Sequence, residues 1–427
     1  MGWFFRGSLM AALSGIALAL AGCGGGGGGG SSNPPGASAP TAVVQPLPVP
    51  GPYAVACSNV LQDFSKAGAG GDVASYWEGN PSANGMPRYV TDLLADPGNT
   101  LIARVTAPQD SNLFGSFAGQ EVAFVVLVCY PTTDNNPRPD YQLPTGPVVP
   151  HMQTGSDAPL FADASARYPA IAFSHGYSGS PLGGDYLLAE TVFASYGYVV
   201  IAPFHGDLRF SDLNIANLGD AIALATHLDN FTALQALRPL SISATLDLVL
   251  AHPQWQGHID ATQIGGFGAS MGGETMLLLG GAGLTTSYFD LGASWKQVTH
   301  DPRIKAAVGY VPYFGQPILP AFGRDQHGLD GINLPFLGIS GTADTTAPII
   351  ETETGMSRLT GIRELVALRG VTHGFDVAST NDIMTWTITF LDALVRDNPT
   401  ARKQLSTMGS VAGGGDDFVV ISYNGPP

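Results

Sequence analysis

The chain reads as an α/β protein, with a mostly parallel central sheet, helices on both faces and a lid-like segment inserted at the top of the sheet. Three observations predict this. Short apolar, β-rich runs alternate with segments of helical character, the pattern of a sheet covered on both sides. With 427 residues, 44% of them hydrophobic and only 12% charged, the chain has the apolar material for a large core. One stretch, Ile264 to Leu279 (IGGFGASMGGETMLLL), reads as strand, sharp turn and helix in succession.

In chain order, residues 1–22 read as a signal peptide: Arg6 supplies the positive region, and Leu9 to Leu20 is an apolar run too short to span a bilayer. Leu20-Ala21-Gly22-Cys23 resembles the bacterial lipobox, which implies that Cys23 is lipidated and begins the mature chain. An ordinary secretory signal with an incidental cysteine is the alternative. Either way the mature chain is expected outside the cytoplasm. A lipidated one is held in the bacterial cell envelope by acyl chains and does not span the membrane. Residues 23–52, rich in Gly, Pro and Ser, read as a tether. The folded domain is expected over 53–400, followed by a tail over 401–427. With Cys23 set aside, Cys57 and Cys129 remain. In an oxidising compartment they have one possible pairing, and a disulfide and two buried free thiols both stay open.

Within the domain, Leu101 to Ala107 and Glu121 to Tyr130 read as early strands, and Pro131 to Ala166, rich in Pro, Asp, Asn and Gly, as a long loop. Tyr168 to Ser174 is a buried strand that ends in His175-Gly176-Tyr177. Leu187 to Tyr196 is predicted as a helix and Tyr198 to Phe204 as the next strand. Residues 205–239 hold helical pieces but no good strand and are predicted as the lid or substrate wall; a helix follows over Ser241 to His252. Beyond the central stretch, Ile304 to Val311, Leu334 to Ser340 and Arg363 to Leu368 read as strands, with 312–333 as a second insertion. Ile383 to Val395 is a closing amphipathic helix, and Phe418 to Ile421 a short edge strand.

Gly268-Ala269-Ser270-Met271-Gly272 carries the pattern G-x-S-x-G at a strand-to-helix turn, where a serine hydroxyl is pushed out of the sheet and the flanking glycines let strand and helix approach. A serine hydroxyl is a weak nucleophile near neutral pH. Acyl transfer on it needs a base to take its proton and a carboxylate to hold that base in the right tautomer. Each role has a candidate just past a predicted strand: Asp344 after Leu334 to Ser340, and His373 after Arg363 to Leu368. Taken singly, an aspartate in a Gly/Thr/Pro loop is a turn residue and a loop histidine is a surface group. The order nucleophile, acid, base across three strand ends is the joint signal. Backbone N–H groups of Met271 and Tyr177 are the expected oxyanion donors. The aromatics Tyr177, Tyr186, Tyr310, Tyr313 and Phe314 are candidates for an acyl pocket.

FSHGYSGS, YGYVVIAPFHGD, GASMGG, LPFLGISGTADTTAP and VTHGF together resemble the dienelactone-hydrolase-like branch of the α/β-hydrolases, which includes platelet-activating-factor acetylhydrolase-like and bacterial cutinase-like esterases. The likeness covers Tyr168 to Val395. It implies the α/β-hydrolase fold, with Ser270 as nucleophile, Asp344 as acid, His373 as base, and Tyr177 with Met271 as oxyanion amides. It departs at His205-Gly206-Asp207, where the acetylhydrolase-like pattern has a charged residue in place of glycine, and in the length of the segment Asp207 to Pro239.

The expected activity is that of a serine esterase cleaving small or polymeric carboxylic esters through an acyl-enzyme, with no cofactor. A cutinase-like polyester hydrolase or lipase, and a non-catalytic binding lipoprotein on the same fold, are the alternatives. A net charge of −16 argues against a nucleic-acid partner. His151, His205, His227, His252, His258, His300 and His327 form no i, i+4 pair with a nearby glutamate, so no metal is expected. No G-x-G-x-x-G with a downstream acid suggests a dinucleotide.

Overall fold

A computed structural model describes residues 40–60, 93–143, 146–153, 157–207, 228–286, 294–316 and 319–426. The expected signal peptide, the lipidation site Cys23 and most of the tether lie outside the described residues, as do positions 208–227 of the first insertion. The strands used below are β1 (Ala42–Val44), β2 (Ala54–Cys57), β3 (Leu101–Thr106), β4 (Glu121–Thr132), β5 (Tyr168–Ser174) and β6 (Val199–Pro203). They continue with β7 (Ile259–Ala269), β8 (Ile304–Tyr310), β9 (Phe336–Gly341), β10 (Arg363–Leu368), β11 (Met408–Val411) and β12 (Asp417–Ile421). The helices are α1 (Gly184–Ser195), α2 (Leu228–Ala251), α3 (Met271–Leu279), α4 (Ile349–Met356), α5 (Thr380–Leu394) and α6 (Pro399–Leu405).

The fold is mixed α/β. One ten-stranded sheet runs in the order β12-β10-β9-β8-β7-β5-β6-β4-β2, with β3 also paired to β4. The run from β6 to β10 is parallel throughout, and β2, β3, β4 and β12 pair antiparallel at the edges. Alternation along β5 explains the two layers of helices. Ala170 and Ala172 face a cluster with Leu237 and Leu246 of α2, Leu277 of α3 and Met356 of α4. Ile171 and Phe173 face the opposite cluster, with Phe193 of α1 and Trp386 and Phe390 of α5. Period-2 side chains of a strand buried on both faces thus serve two cores.

Chain order reverses at β5. The strand after it, β6, lies on one side, and the chain then crosses back to place β7 on the other side. The connections leaving β5 and β7 therefore diverge, and the crevice beyond their carboxyl ends is where an open α/β sheet receives a ligand. Ser174 at the end of β5 is in register with Gly268 of β7, so His175-Gly176-Tyr177 and Ser270 leave the sheet side by side.

Three sequence expectations change. The helix expected from Ser241 is the second half of α2, which begins by Leu228 and continues through Pro239. An internal proline costs a helix about 3 kcal/mol, but Leu237 and Ile242 on either side of it are fully buried, and that burial outweighs the cost. Residues 231–239 are thus part of the packed helical layer. The segment read as a tether is built into the fold from residue 40 on: β1 pairs parallel with β11, Leu47 N–H donates to Thr385 Oγ1 at 2.9 Å, and Gly51 N–H donates to Ser195 Oγ at 2.7 Å. The tail adds α6 and β11 to the expected edge strand, which is β12 and closes the sheet beside β10.

Cys57 and Cys129 sit directly opposite each other on the antiparallel pair β2 and β4 and are joined as a disulfide.

Candidate active site

Ser270 occupies the single position between β7 and α3, with φ 54° and ψ −119°. A non-glycine residue held there costs on the order of 1–3 kcal/mol, so the surroundings must enforce it. They do so through both of its backbone groups: its N–H donates to the Tyr310 carbonyl at 2.9 Å, and its carbonyl accepts from Gly273 and Tyr313, each at 2.9 Å. The pattern's two glycines are required by contact. A Cβ on Gly268 would run into the Gly272 carbonyl, and one on Gly272 into the Ser174 carbonyl.

The Ser270 hydroxyl oxygen lies 2.8 Å from His373 Nε2, and His373 Nδ1 lies 2.8 Å from Asp344 Oδ2. The Asp344 side chain is fully buried. Its other oxygen, Oδ1, accepts from the N–H groups of Thr346 at 2.8 Å and Ala347 at 2.9 Å. Each carboxylate oxygen thus has donors, as a buried anion requires. The loops bearing the acid and the base are stitched together: Ala343 N–H donates to the Val371 carbonyl at 3.0 Å, and Gly370 N–H donates to Thr342 Oγ1 at 2.8 Å. Tyr310, at the end of β8, fixes the far side of the histidine loop, donating to the Gly374 carbonyl at 2.9 Å and accepting from Asp376 N–H at 3.3 Å.

Met271 is the first residue of α3, where backbone N–H groups have no partner within the helix. Tyr177 is half-buried in the loop leaving β5. A Cβ on Gly176 would stand 3.4 Å from Ser270 Cβ, which brings this loop against the serine. All five residues singled out for the chemistry (Ser270, Asp344, His373, Tyr177 and Met271) are therefore gathered at one end of the parallel strands.

Beneath the loop lies a polar cluster that sequence reasoning did not find. Arg238 of α2 and Asp207 form a buried pair: Nε to Oδ1 is 3.0 Å and Nη2 to Oδ2 is 2.6 Å. Arg238 Nη1 also donates to the His175 carbonyl at 2.7 Å, and Nη2 to the Gly176 carbonyl at 3.0 Å. Asp207 Oδ2 accepts from Ser178 N–H at 2.8 Å. The sequence does hold a signal. Arg238 is the only basic residue between Leu228 and Ala251 and has apolar neighbours in Ala236, Leu237 and Leu240, and such a charge is buried only with a partner. Its partner, Asp207, lies 31 positions away, beyond the reach of any local pattern.

His175 is buried in the same cluster, and burial, with the Arg238 charge adding to it, lowers its pKa to about 4. Its Nε2 accepts from His205 N–H at 3.2 Å, so its single proton is on Nδ1, which faces the Gly176 carbonyl at 2.8 Å. Glu274, one turn into α3, is also buried. Burial raises its pKa to about 8 against the opposing effects of Arg238 and Gln235, and Gln235 donates to its Oε1 at 2.6 Å.

The aromatics expected to line an acyl pocket are mostly committed elsewhere. Phe314 packs against Phe322 and Phe336 in the core, Tyr313 is buried with them, and the Tyr186 hydroxyl accepts from Gly176 N–H at 3.1 Å. Among the described residues there is no group of three His, Cys, Asp or Glu side chains able to hold a metal ion, and no helix long and apolar enough to cross a membrane. Compared with known proteins, the chain matches no family model, and no curated protein matches it.

Proposed function

We propose that this protein is a serine esterase of the α/β-hydrolase fold, cleaving carboxylic esters through an acyl-enzyme. One observation carries the reading: the unbroken chain of contacts from Ser270 Oγ through both nitrogens of His373 to Asp344 Oδ2, at 2.8 Å each. With Nδ1–H donating to the carboxylate, the imidazole presents an unprotonated Nε2 to the serine hydroxyl, the arrangement a general base needs.

His373 takes the hydroxyl proton as Ser270 Oγ bonds to the ester carbonyl carbon, and the carbonyl electrons move onto oxygen. Backbone N–H groups of Met271 and Tyr177 stabilise that oxyanion. Collapse of the adduct breaks the bond to the alcohol oxygen, which leaves with the proton held on His373. Water then repeats the sequence on the acyl-serine, releasing the carboxylic acid and restoring the hydroxyl. Asp344 holds the imidazole in one tautomer and stabilises its charged form. No cofactor enters. The leader over residues 1–22, followed by Cys23, supports a lipid-anchored location in the cell envelope.

A fluorophosphonate probe tests the reading. Wild type should be labelled at Ser270 and Ser270→Ala should not. Absence of labelling in both, or equal labelling of both, would instead favour the non-catalytic binding protein. Rates across p-nitrophenyl esters of rising acyl length, beside release of soluble products from a polyester film, separate a small-ester esterase from a polyesterase.

A further inference from the structure

We infer that the buried pair Arg238–Asp207 is a positioning device that sets the oxyanion-binding N–H of Tyr177, an inference that rests on the esterase reading above. Both peptide units flanking the Tyr177 Cα are tied to this pair. On one side, the Gly176 carbonyl accepts from Arg238 Nη2 at 3.0 Å. On the other, Ser178 N–H donates to Asp207 Oδ2 at 2.8 Å. A trans peptide is planar, and its C=O and N–H point in opposite directions. Drawing the Gly176 carbonyl down onto the guanidinium therefore turns the Tyr177 N–H of the same peptide away from Arg238.

Three further donors hold this arrangement. Arg238 Nη1 takes the His175 carbonyl at 2.7 Å, His175 Nδ1–H faces the Gly176 carbonyl at 2.8 Å, and Gly179 N–H reaches the same oxygen at 3.1 Å. The residue that follows, Ser178, is held at φ 54°, a conformation a serine does not keep without such restraint. The side chains of Arg238 and Asp207 are 2% and 0% exposed, so neither meets substrate. A buried ion pair is a poor means of adding stability, because desolvation offsets most of its attraction. Here its hydrogen bonds are spent on backbone groups beside the candidate nucleophile. Oxyanion donors act by being in place before charge develops, and a doubly held peptide plane supplies that.

The test uses the full chain carrying Asp207→Asn or Arg238→Gln, with the double variant Asp207→Asn/Arg238→Gln as the version that leaves no uncompensated buried charge if either single variant fails to fold. Steady-state kcat and KM are measured on an ester and on its thionoester, in which sulfur replaces the carbonyl oxygen and binds weakly to N–H donors. The expected result is a fall in kcat on the ester of about 10²-fold or more, with KM within about threefold. The thionoester rate should fall much less, so the ester preference shrinks. His373→Ala serves as the control; it should slow both substrates and leave the preference intact. Folded variants whose ester kcat stays within about threefold of wild type, or that slow both substrates equally, would overturn the positioning role. Wild type that neither hydrolyses the ester nor is labelled at Ser270 would instead remove the esterase reading itself.

Discussion

Ser270 and His373 stand 103 positions apart in the chain and 2.8 Å apart in space. Asp344 is what keeps the imidazole turned toward the serine. It has acceptors for three donors: Thr346 N–H, Ala347 N–H and His373 Nδ1–H. Asn at this position has one acceptor oxygen. With that oxygen retained by the two backbone N–H groups, its NH2 faces Nδ1 and drives the proton to Nε2, which then cannot accept from Ser270. Asp344→Asn should therefore lower kcat by about 10⁴-fold, with little change in secondary structure by circular dichroism.

The buried Glu274 gives stability a pH dependence with a definite sign. Its folded pKa, about 8, lies above the ordinary 4.5. Between those values the unfolded chain has released the proton and the folded chain keeps it, so this group's contribution is full below pH 4.5 and lost as pH rises toward 8. His175 acts oppositely: held near 4 against an ordinary 6.5, it costs stability as pH falls from 6.5 to 4. The two offset each other between pH 4.5 and 6.5, and above that Glu274 dominates. Glu274→Gln keeps the acceptor for Gln235 and cannot ionise. Its stability relative to wild type should rise by on the order of 3 kcal/mol between pH 5 and pH 8, measured by urea denaturation at each pH.

The disulfide Cys57–Cys129 spans 72 positions. Opening a loop of that length is expected to cost about 4 kcal/mol through the unfolded chain. Because β2 is separated from β7 by β4, β6 and β5, the cost should fall on stability and leave the site intact. Cys57→Ala/Cys129→Ala should show a lower Tm and, well below it, wild-type labelling of Ser270.

Gly272→Ala should destabilise by about 3 kcal/mol or more, because its Cβ would run into the Ser174 carbonyl and backbone cannot yield as a side chain can. Gly370→Ala meets no atom within 4 Å but sits at φ 76°, so it should cost only about 1 kcal/mol of strain. Thermal melts of the two variants check the contrast.

Removing residues 1–52 takes away the β1–β11 pairing, the bond from Leu47 N–H to Thr385 and that from Gly51 N–H to Ser195, and leaves the Tyr196 hydroxyl without the Pro48 carbonyl. The truncated chain should be less stable by a few kcal/mol, at about 1 kcal/mol for each lost hydrogen bond.

The sequence by itself determined the alternation that yields an α/β sheet, the strand-turn-helix at Ser270, and the loops bearing Asp344 and His373, because each depends on periodicity or on glycine placed at a turn. It also marked His-Gly-Tyr after β5. Tertiary structure alone decided which groups meet. The helix through Pro239 exists because Leu237 and Ile242 are buried on both sides of it, a fact no propensity contains. The partnership of Arg238 with Asp207 depends on α2 passing beneath the β5 loop. The strand at Ala42–Val44 is written in a segment whose composition reads as linker, and it forms because β11 offers it an unpaired edge. Local patterns fix what a segment is able to become; burial and pairing with distant segments fix what it becomes.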